Sequence, residues 1–196
     1  MIELTDGMLL YHGSYTEVRD IDLSRCNEGL DFGKGFYVTS SYEQAISFVR
    51  NSVRRNIRMK KIPPDFNLDD GVVSTFRYSL KESVSMHIFQ RAEVDWLHFV
   101  AANRNNRLFR DEFEKLRETG IVGGKIANDN TATVLNLYVT GAYGIPGTES
   151  ADSFAIHQLL PNRLENQFCF RTAEAIGTLE FIRGERYGDI AGRAEH

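Results

Sequence analysis

The sequence predicts an α+β domain, and three observations carry this prediction. Short β-prone segments and amphipathic helices follow one another without the regular β-α alternation of a doubly wound sheet. Neither an internal repeat nor a low-complexity linker divides the chain. At 196 residues it is long enough to bury a sizeable core. We therefore expect one domain over residues 1–182 and a polar, frayed tail over residues 183–196.

The first elements follow from apolar runs and turn residues. Residues 8–12 form an apolar run that ends at Gly13 and Ser14, which predicts a buried strand with a histidine at its carboxyl end. Residues 18–23 predict a second short strand. The glycine-flanked stretch 31–41 leads into a strand at about 35–39, and a serine at 40 or 41 caps a helix over 42–58.

The later elements alternate between strands and helices. Strands are expected at 72–80, 120–127, 167–171 and 179–182, with a short extension at 85–89. Helices are expected at 93–103, 109–118, 131–142, 149–160 and 173–176.

The charge composition of the chain limits the kinds of partner that it could bind. A formal net charge of −4 argues against broad electrostatic binding to nucleic acid or to an anionic membrane. A local basic patch nevertheless lies on the first predicted helix and just after it, and it is either the solvated face of that helix or a binding surface. Its residues are Arg50, Arg54, Arg55, Arg58, Lys60 and Lys61.

The chain carries no signature of a metal site or of a membrane segment. Cys26 and Cys169 lack metal-ligand spacing, and neither a Rossmann nor a Walker motif is present. No apolar run approaches the ~20 residues that cross a bilayer, and the amino terminus does not read as a signal peptide. We expect a cytoplasmic protein with free thiols, without a metal and without a membrane partner.

Three chemically capable residues lie on separate predicted strands. The segments that contain them are YHGS at His12, FGKGFYV at Tyr37 and NQFCF at Gln167. FGKGFYV resembles the FGKGIYF-type segment of poly(ADP-ribose) polymerases, and YHGS resembles the histidine-glycine strand of the same superfamily. The order matches the H-Y-E class of ADP-ribosyltransferases. The resemblance implies their split, antiparallel-rich β core with helical cover.

The resemblance also implies an NAD site. His12 would hydrogen-bond the adenine-side ribose, Gly13 would offer its backbone to the nicotinamide carboxamide, and Tyr37 would stack on the nicotinamide ring. Phe48 corresponds to the second stacking aromatic of the polymerases, although an inward phenylalanine on a helix is also plain core. The cofactor-binding set is completed by Ser14, Gly35 and Phe36, which adjoin these residues.

Gln167 departs from the family, whose catalytic residue at this position is glutamate. Glutamine keeps the hydrogen bonds but lacks the negative charge that stabilises an oxocarbenium-like transition state. Glu165, just upstream, matches the first member of an acceptor-orienting pair, so we include it with Gln167, Tyr37 and His12 among the catalytic candidates. Asp129, Glu149 and Asp152 are further carboxylates, each also interpretable as a helix cap or first-turn charge.

The expected function is transfer of one ADP-ribose from NAD to a macromolecular acceptor, either protein or nucleic acid. The likeness is to small bacterial toxins of toxin-antitoxin pairs, which implies a small antitoxin protein as partner. The alternatives are a catalytically weak NAD- or ADP-ribose-binding module and an NAD glycohydrolase.

Overall fold

The protein is described by a computed structural model over residues 2–105, 107–125, 129–159 and 166–194. Its strands are β1 (Leu9–Ser14), β2 (Phe36–Val38), β3 (Val72–Tyr78), β4 (Met86–Ile88), β5 (Ile121–Lys125), β6 (Asn166–Phe170) and β7 (Leu179–Arg186). Its helices are α1 (Tyr42–Arg58), α2 (Val94–Arg104), α3 (Arg110–Lys115), α4 (Asp129–Val139), α5 (Glu149–Leu159), α6 (Ala173–Ile176) and α7 (Tyr187–Ala194). Two 3-10 turns lie at Leu23–Arg25 and Leu68–Asp70.

The chain is arranged in two compact units, each built from separate segments. The first unit comprises Met1–Glu3, Leu23–Phe36 and Glu82–Ile176. The second unit comprises Leu4–Asp22, Tyr37–Lys81 and Gly177–His196. The chain passes from the first unit to the second inside β2, between Phe36 and Tyr37.

The second unit is an antiparallel sheet covered by a helix. Its strand order is β1-β3-β7, and a register shift between Thr75 and Phe76 marks an irregularity in the β3-β7 pairing. Helix α1 begins where the Ser41 side chain accepts a hydrogen bond from the Gln44 amide. Its apolar face forms a core with the sheet and α7; the buried members are Ala45, Val49, Val53, Val73 and Tyr187.

The first unit contains β4, β5 and β6 with helices α2 to α6. The second sheet has the strand order β2-β6-β5-β4, in which β4 and β5 are parallel and β5 and β6 antiparallel. Trp96 of α2 is fully buried, and its indole N–H donates a 3.1 Å hydrogen bond to the Lys125 carbonyl. The α2 helix is thereby fixed to the end of β5.

Most predicted elements are confirmed. The helix over 42–58 and the short helix over 173–176 have the predicted bounds, and the Ser41 cap forms. The α+β class with antiparallel-rich sheets is confirmed as well, whereas the ADP-ribosyltransferase fold and the single domain over 1–182 stay predictions.

Three predictions about strands and the carboxyl end were wrong. Residues 18–23 form no strand; a 3-10 turn begins at Leu23 instead. The strand expected to end at His12 continues through Ser14, because β3 pairs with it to Val72. The polar segment from residue 183 is not a frayed tail, since β7 continues to Arg186 and α7 follows.

One finding bears on the membrane. Among the residues with described positions, no helix is long and apolar enough to span a bilayer.

Candidate functional site

The site that the structure presents in the second unit is the point where β1 and β2 separate. The two strands are joined by one isolated antiparallel bridge between Tyr11 and Thr39. The Tyr11 amide donates to the Thr39 carbonyl at 2.8 Å, and the Thr39 amide donates to the Tyr11 carbonyl at 2.9 Å. In that register the next hydrogen-bonded pair would be Gly13 with Tyr37. That pair is not formed.

The His12 side chain makes a hydrogen bond where the Gly13–Tyr37 backbone pair is missing. Its Nδ1 lies 2.7 Å from the main-chain carbonyl of Tyr37 and donates a hydrogen bond to it. A side chain therefore satisfies the carbonyl that a ladder bond from the Gly13 amide would otherwise reach. The strands stay linked through the imidazole while their backbones diverge.

The protonation state of His12 follows from its surroundings. Burial lowers its pKa below the ordinary value of 6.5, the hydrogen bond to the Tyr37 carbonyl opposes that shift, and the positive charge of Arg55 adds to the lowering. At neutral pH the ring is neutral with its proton on Nδ1. Nε2 is then a hydrogen-bond acceptor.

Gly13 lets α1 lie directly on β1. A Cβ atom at this position would be 1.9 Å from the carbonyl oxygen of Ala45 and 2.9 Å from the amide nitrogen of Val49. Real side chains do not approach a backbone so closely. Glycine is therefore required by packing alone, whatever else its backbone does.

The main-chain groups of Gly13 point toward the separation. In an antiparallel strand, amide and carbonyl groups alternate between the two edges. Those of Tyr11 face Thr39, so those of Gly13 face the same edge, away from β3. Within the described residues, no hydrogen bond to the Gly13 amide or carbonyl is found on that edge.

Tyr37 and Phe48 lie on consecutive elements, β2 and α1. Tyr37 is half-buried between the buried Phe36 and Val38, so its side chain is on the opposite face of β2. Thr39 shares the Tyr37 face, and its hydroxyl donates to the Gln44 side chain of α1. Phe48 follows Gln44 by one helical turn on the same stripe of α1 and is half-buried.

The remaining cofactor-binding candidates have structural reasons for their identity. Ser14 is buried and pairs with Val72. Phe36 is 5% exposed, so its ring belongs to the core. In the first unit, a Cβ on Gly35 would be 2.5 Å from Sγ of Cys169 and 2.7 Å from the Phe170 carbonyl, so this glycine allows close packing against β6. Their roles in NAD binding stay predictions.

Gln167 belongs to the first unit. It is half-buried on β6 and lies opposite Gly124 of β5. Glu165 lies outside the described residues, as does the side chain of Asp129. Among the further carboxylates, Glu149 is exposed in the first turn of α5.

Asp152 is engaged in a buried network of the first unit. Its carboxylate accepts hydrogen bonds from the Tyr138 hydroxyl at 2.5 Å and the Gly147 amide at 3.0 Å, and it lies 2.7 Å from Nε2 of His98. Burial and the neighbouring carboxylate raise the pKa of Tyr138. This set of partners identifies Asp152 as a structural residue that ties α5 to α4 and α2.

Sequence reasoning missed the residues that shape the separation. Thr39 forms the last bridge and holds Gln44, and Arg55 acts electrostatically on His12. Arg55 was part of the recognised basic patch, but only the fold shows that this helix packs on the histidine strand. In the described residues, no group of three or more His, Cys, Asp or Glu side chains has a metal-binding arrangement.

Comparison with known proteins gives a family without an assigned activity. A family model described as "Protein of unknown function (DUF3990)" matches residues 8–181. No curated protein and no solved structure matches the chain.

Proposed function

This chain belongs to the DUF3990 family, and we propose that it is an NAD-dependent mono-ADP-ribosyltransferase. The observation that carries the proposal is the separation of β1 from β2 at the would-be pair Gly13 and Tyr37, with His12 bonded to the Tyr37 carbonyl. The FGKGFYV and YHGS segments, whose resemblance implies an NAD site, supply these residues.

The Gly13 edge matches the chemistry of a carboxamide. The amide group of nicotinamide has one acceptor oxygen and a donor NH₂. A backbone amide and carbonyl of one residue, directed to the same edge, complement both groups. A carboxamide bound there would form hydrogen bonds with the buried amide and carbonyl of Gly13. Those two groups have no backbone partner on β2.

His12 and the aromatic residues suit the other parts of NAD. Neutral His12 can accept a hydrogen bond from a ribose hydroxyl at Nε2. Tyr37, on the half-buried face of β2, can place its ring against the cationic pyridinium, and Phe48 is a second half-buried aromatic residue on α1.

The reaction breaks one bond and forms another. The bond from ribose C1′ to the nicotinamide nitrogen breaks, and the electron pair leaves with neutral nicotinamide. A nucleophile of the acceptor gives an electron pair to the oxocarbenium-like C1′ and then releases its proton to solvent. The balance is NAD⁺ plus acceptor–H giving ADP-ribosyl-acceptor, nicotinamide and H⁺.

Gln167 is the residue that the resemblance assigns to the developing positive charge. As an amide it supplies hydrogen bonds to the ribose hydroxyls but no charge, and loss of one such electrostatic partner costs about 3 kcal/mol, or roughly a hundredfold in rate. A slow transferase that adds a single ADP-ribose fits this substitution. A toxin role with a small antitoxin partner rests on the resemblance.

Incubation of the purified chain with NAD labelled in the adenylate, together with a cell lysate, tests the proposal. We expect label on a macromolecule and release of nicotinamide. Free ADP-ribose alone would identify a glycohydrolase, and tight NAD binding without turnover would identify a binding module.

Two variants test whether His12 and Tyr37 form the NAD site. His12→Ala and Tyr37→Ala should each weaken NAD binding measured by calorimetry, whereas His157→Ala, at an exposed position of α5, should not. If neither site variant weakened binding, the assignment of the NAD site would be wrong.

A further inference from the structure

The carboxyl-terminal half of α1 and the residues that follow it carry exposed cations, which we call the basic face. Its members are Arg54, Arg55, Arg58, Lys60 and Lys61. In the described part of the chain, none of the five forms a salt bridge. Arg50 is separate, because its guanidinium donates to the Tyr187 hydroxyl and lies 5.4 Å over that ring.

Many cations elsewhere in the described chain are paired with carboxylates, although Arg25, Arg107 and Arg110 are not. On the second unit Arg77 pairs with Glu180, and Arg183 pairs with Glu185 at 3.0 Å. On the first unit Lys115 pairs with Glu112 at 2.6 Å. The basic face is therefore an uncompensated positive surface on a protein whose formal net charge is −4.

Helix stability accounts for only part of this surface. Cations in the last turn interact favourably with the helix dipole, which suits Arg55 and Arg58. Arg54 and Arg58, however, are like charges at a spacing of four residues, which costs a helix about 0.2–0.5 kcal/mol. Lys60 and Lys61 lie beyond the helix end, so a favourable interaction with the helix dipole does not explain their presence.

The backbone under the basic face is ordered by hydrogen bonds. Lys60 has a left-handed φ of 56°, and its amide donates to the Ile57 carbonyl at 2.9 Å. The Lys61 amide donates to the Asn56 carbonyl at 2.9 Å. The two lysines thus continue the charged surface from a capped helix end.

The basic face and the candidate NAD site share helix α1 within the second unit. This helix packs on Gly13 through the Ala45 and Val49 backbone. The charge of Arg55 reaches far enough to lower the pKa of His12. Within this helix, Arg55 is the member of the basic face that is linked electrostatically to the histidine strand.

We propose that the basic face binds the phosphate backbone of a nucleic acid, and that a nucleic acid is the acceptor class of the transferase. The inference that a nucleic acid is the acceptor rests on the proposed function, whereas the inference that the basic face binds nucleic acid does not. RNA and DNA share the phosphate chemistry, so the experiment distinguishes them.

The composition of the face favours nucleic acid over an acidic protein. Protein interfaces have an apolar or aromatic centre. Met59 is the exposed large hydrophobic residue among positions 50–61 of the described chain. A surface made of arginine and lysine around a single methionine matches the strongly positive interfaces that bind phosphates.

Fluorescence anisotropy without NAD tests the binding part. The probes are labelled single-stranded RNA, single-stranded DNA and duplex DNA of about 20 nucleotides, enough to cover a typical site, with labelled polyglutamate as the non-nucleic polyanion. The test variant is Arg54→Gln/Arg58→Gln/Lys61→Gln. The control is Arg77→Gln/Lys115→Gln/Arg117→Gln, which removes the same charge from exposed, paired positions.

We expect the wild-type chain to bind at least one nucleic acid with an affinity that falls as salt rises. Loss of three phosphate contacts should reduce the slope of log K against log salt by about 2–3 and the affinity at 0.1 M salt on the order of a hundredfold. The control should keep both values. Absence of nucleic-acid binding, equal losses in both variants, or equally tight polyglutamate binding would each overturn the proposal.

The acceptor part is tested by adding labelled NAD to the same oligonucleotides. Label on an oligonucleotide, reduced in the basic-face variant, supports the acceptor class. NAD turnover that labels lysate protein but no oligonucleotide overturns the acceptor class and leaves the transferase standing. Nucleic-acid binding by a chain that binds no NAD overturns the proposed function and supports the binding face.

Discussion

His12 donates a 2.7 Å hydrogen bond from Nδ1 to the main-chain carbonyl of Tyr37. This bond occupies the position at which the β1-β2 ladder would have continued through Gly13. One imidazole thus serves two purposes: it satisfies a carbonyl of the diverging strand and it fixes its own tautomer. The remaining ring nitrogen is an acceptor at the place where the backbones part.

The first prediction concerns the titration of His12. Because burial and Arg55 both lower its pKa, the imidazole should titrate below 6.5 in the folded protein. Arg55→Gln removes one cause and should move the titration upward, which NMR of the ring protons measures. Arg54→Gln is the matched control. An unchanged midpoint in the Arg55 variant would contradict the assigned Coulombic effect.

The same pKa shift predicts how stability depends on pH. As pH falls below 6.5, the unfolded chain takes up a proton at His12 before the folded chain does, so this contribution to stability is present above 6.5 and lost at lower pH. His12→Gln should therefore show a weaker loss of unfolding free energy between about pH 7.5 and pH 5.5 in urea titrations. Parallel curves for the two proteins would refute the linkage.

The third prediction concerns the contact between β1 and α1. Gly13→Ala would place a Cβ 1.9 Å from the Ala45 carbonyl, so α1 must shift. We expect a loss of about 3 kcal/mol or more, at the upper end of overpacking costs. Gly192→Ala is the control, because no atom lies within 4 Å of its Cβ and alanine favours a helix. Equal unfolding midpoints for the two variants would show that the helix contact tolerates a side chain.

These residues show what a sequence reveals and what it does not. The helix over Tyr42–Arg58 was predictable because its cap, apolar spacing and end signals are local. The order of the segments YHGS and FGKGFYV predicts a site, and that assignment stays a prediction. The separation of β1 from β2 was not predictable, since it depends on the pairing of residues far apart in the chain.

The carboxyl end illustrates the same limit. From residue 183 the segment is polar, and polarity alone predicts a frayed tail. It nevertheless forms strand, because Thr75, Ser74, Val73 and Val72 of β3 offer pairing partners, and the aromatic ring of Tyr187 enters the α1 core. Tertiary pairing therefore decides a segment that its own composition leaves undetermined.

The fourth prediction concerns a largely buried ion pair in the first unit. Asp31, at the start of the glycine-flanked stretch, accepts hydrogen bonds from Nε and Nη2 of Arg104 at 2.8 and 2.6 Å. Arg104→Ala removes the Arg104 charge from the buried Asp31 carboxylate, which should cost about 3 kcal/mol, at the lower end for buried pairs because the Arg104 side chain is 17% exposed. Combining it with Asp31→Asn should recover part of that loss.

A double-mutant cycle by chemical denaturation measures this coupling. The exposed pair Arg91 and Glu93 is the control, for which we expect a coupling below about 1 kcal/mol. Additive effects of the Asp31 and Arg104 variants would show that the two side chains do not act as a pair.

The last prediction distinguishes a slow transferase from a module that binds NAD without cleaving it. Gln167→Glu restores a carboxylate at the position that the resemblance assigns to the ribose, and stabilisation of the oxocarbenium-like charge should raise NAD cleavage by up to about a hundredfold. The measurement is nicotinamide release at saturating NAD, with NAD affinity determined separately. Gln158→Glu, at an exposed position of α5, adds the same charge elsewhere and should leave the rate unchanged.

Because Gln167 is half-buried, the new carboxylate also carries a desolvation cost, so unfolding midpoints must accompany the rates. A folded Gln167→Glu variant that binds NAD but cleaves it no faster than wild type would show that the missing charge does not limit the reaction, and would favour a binding module.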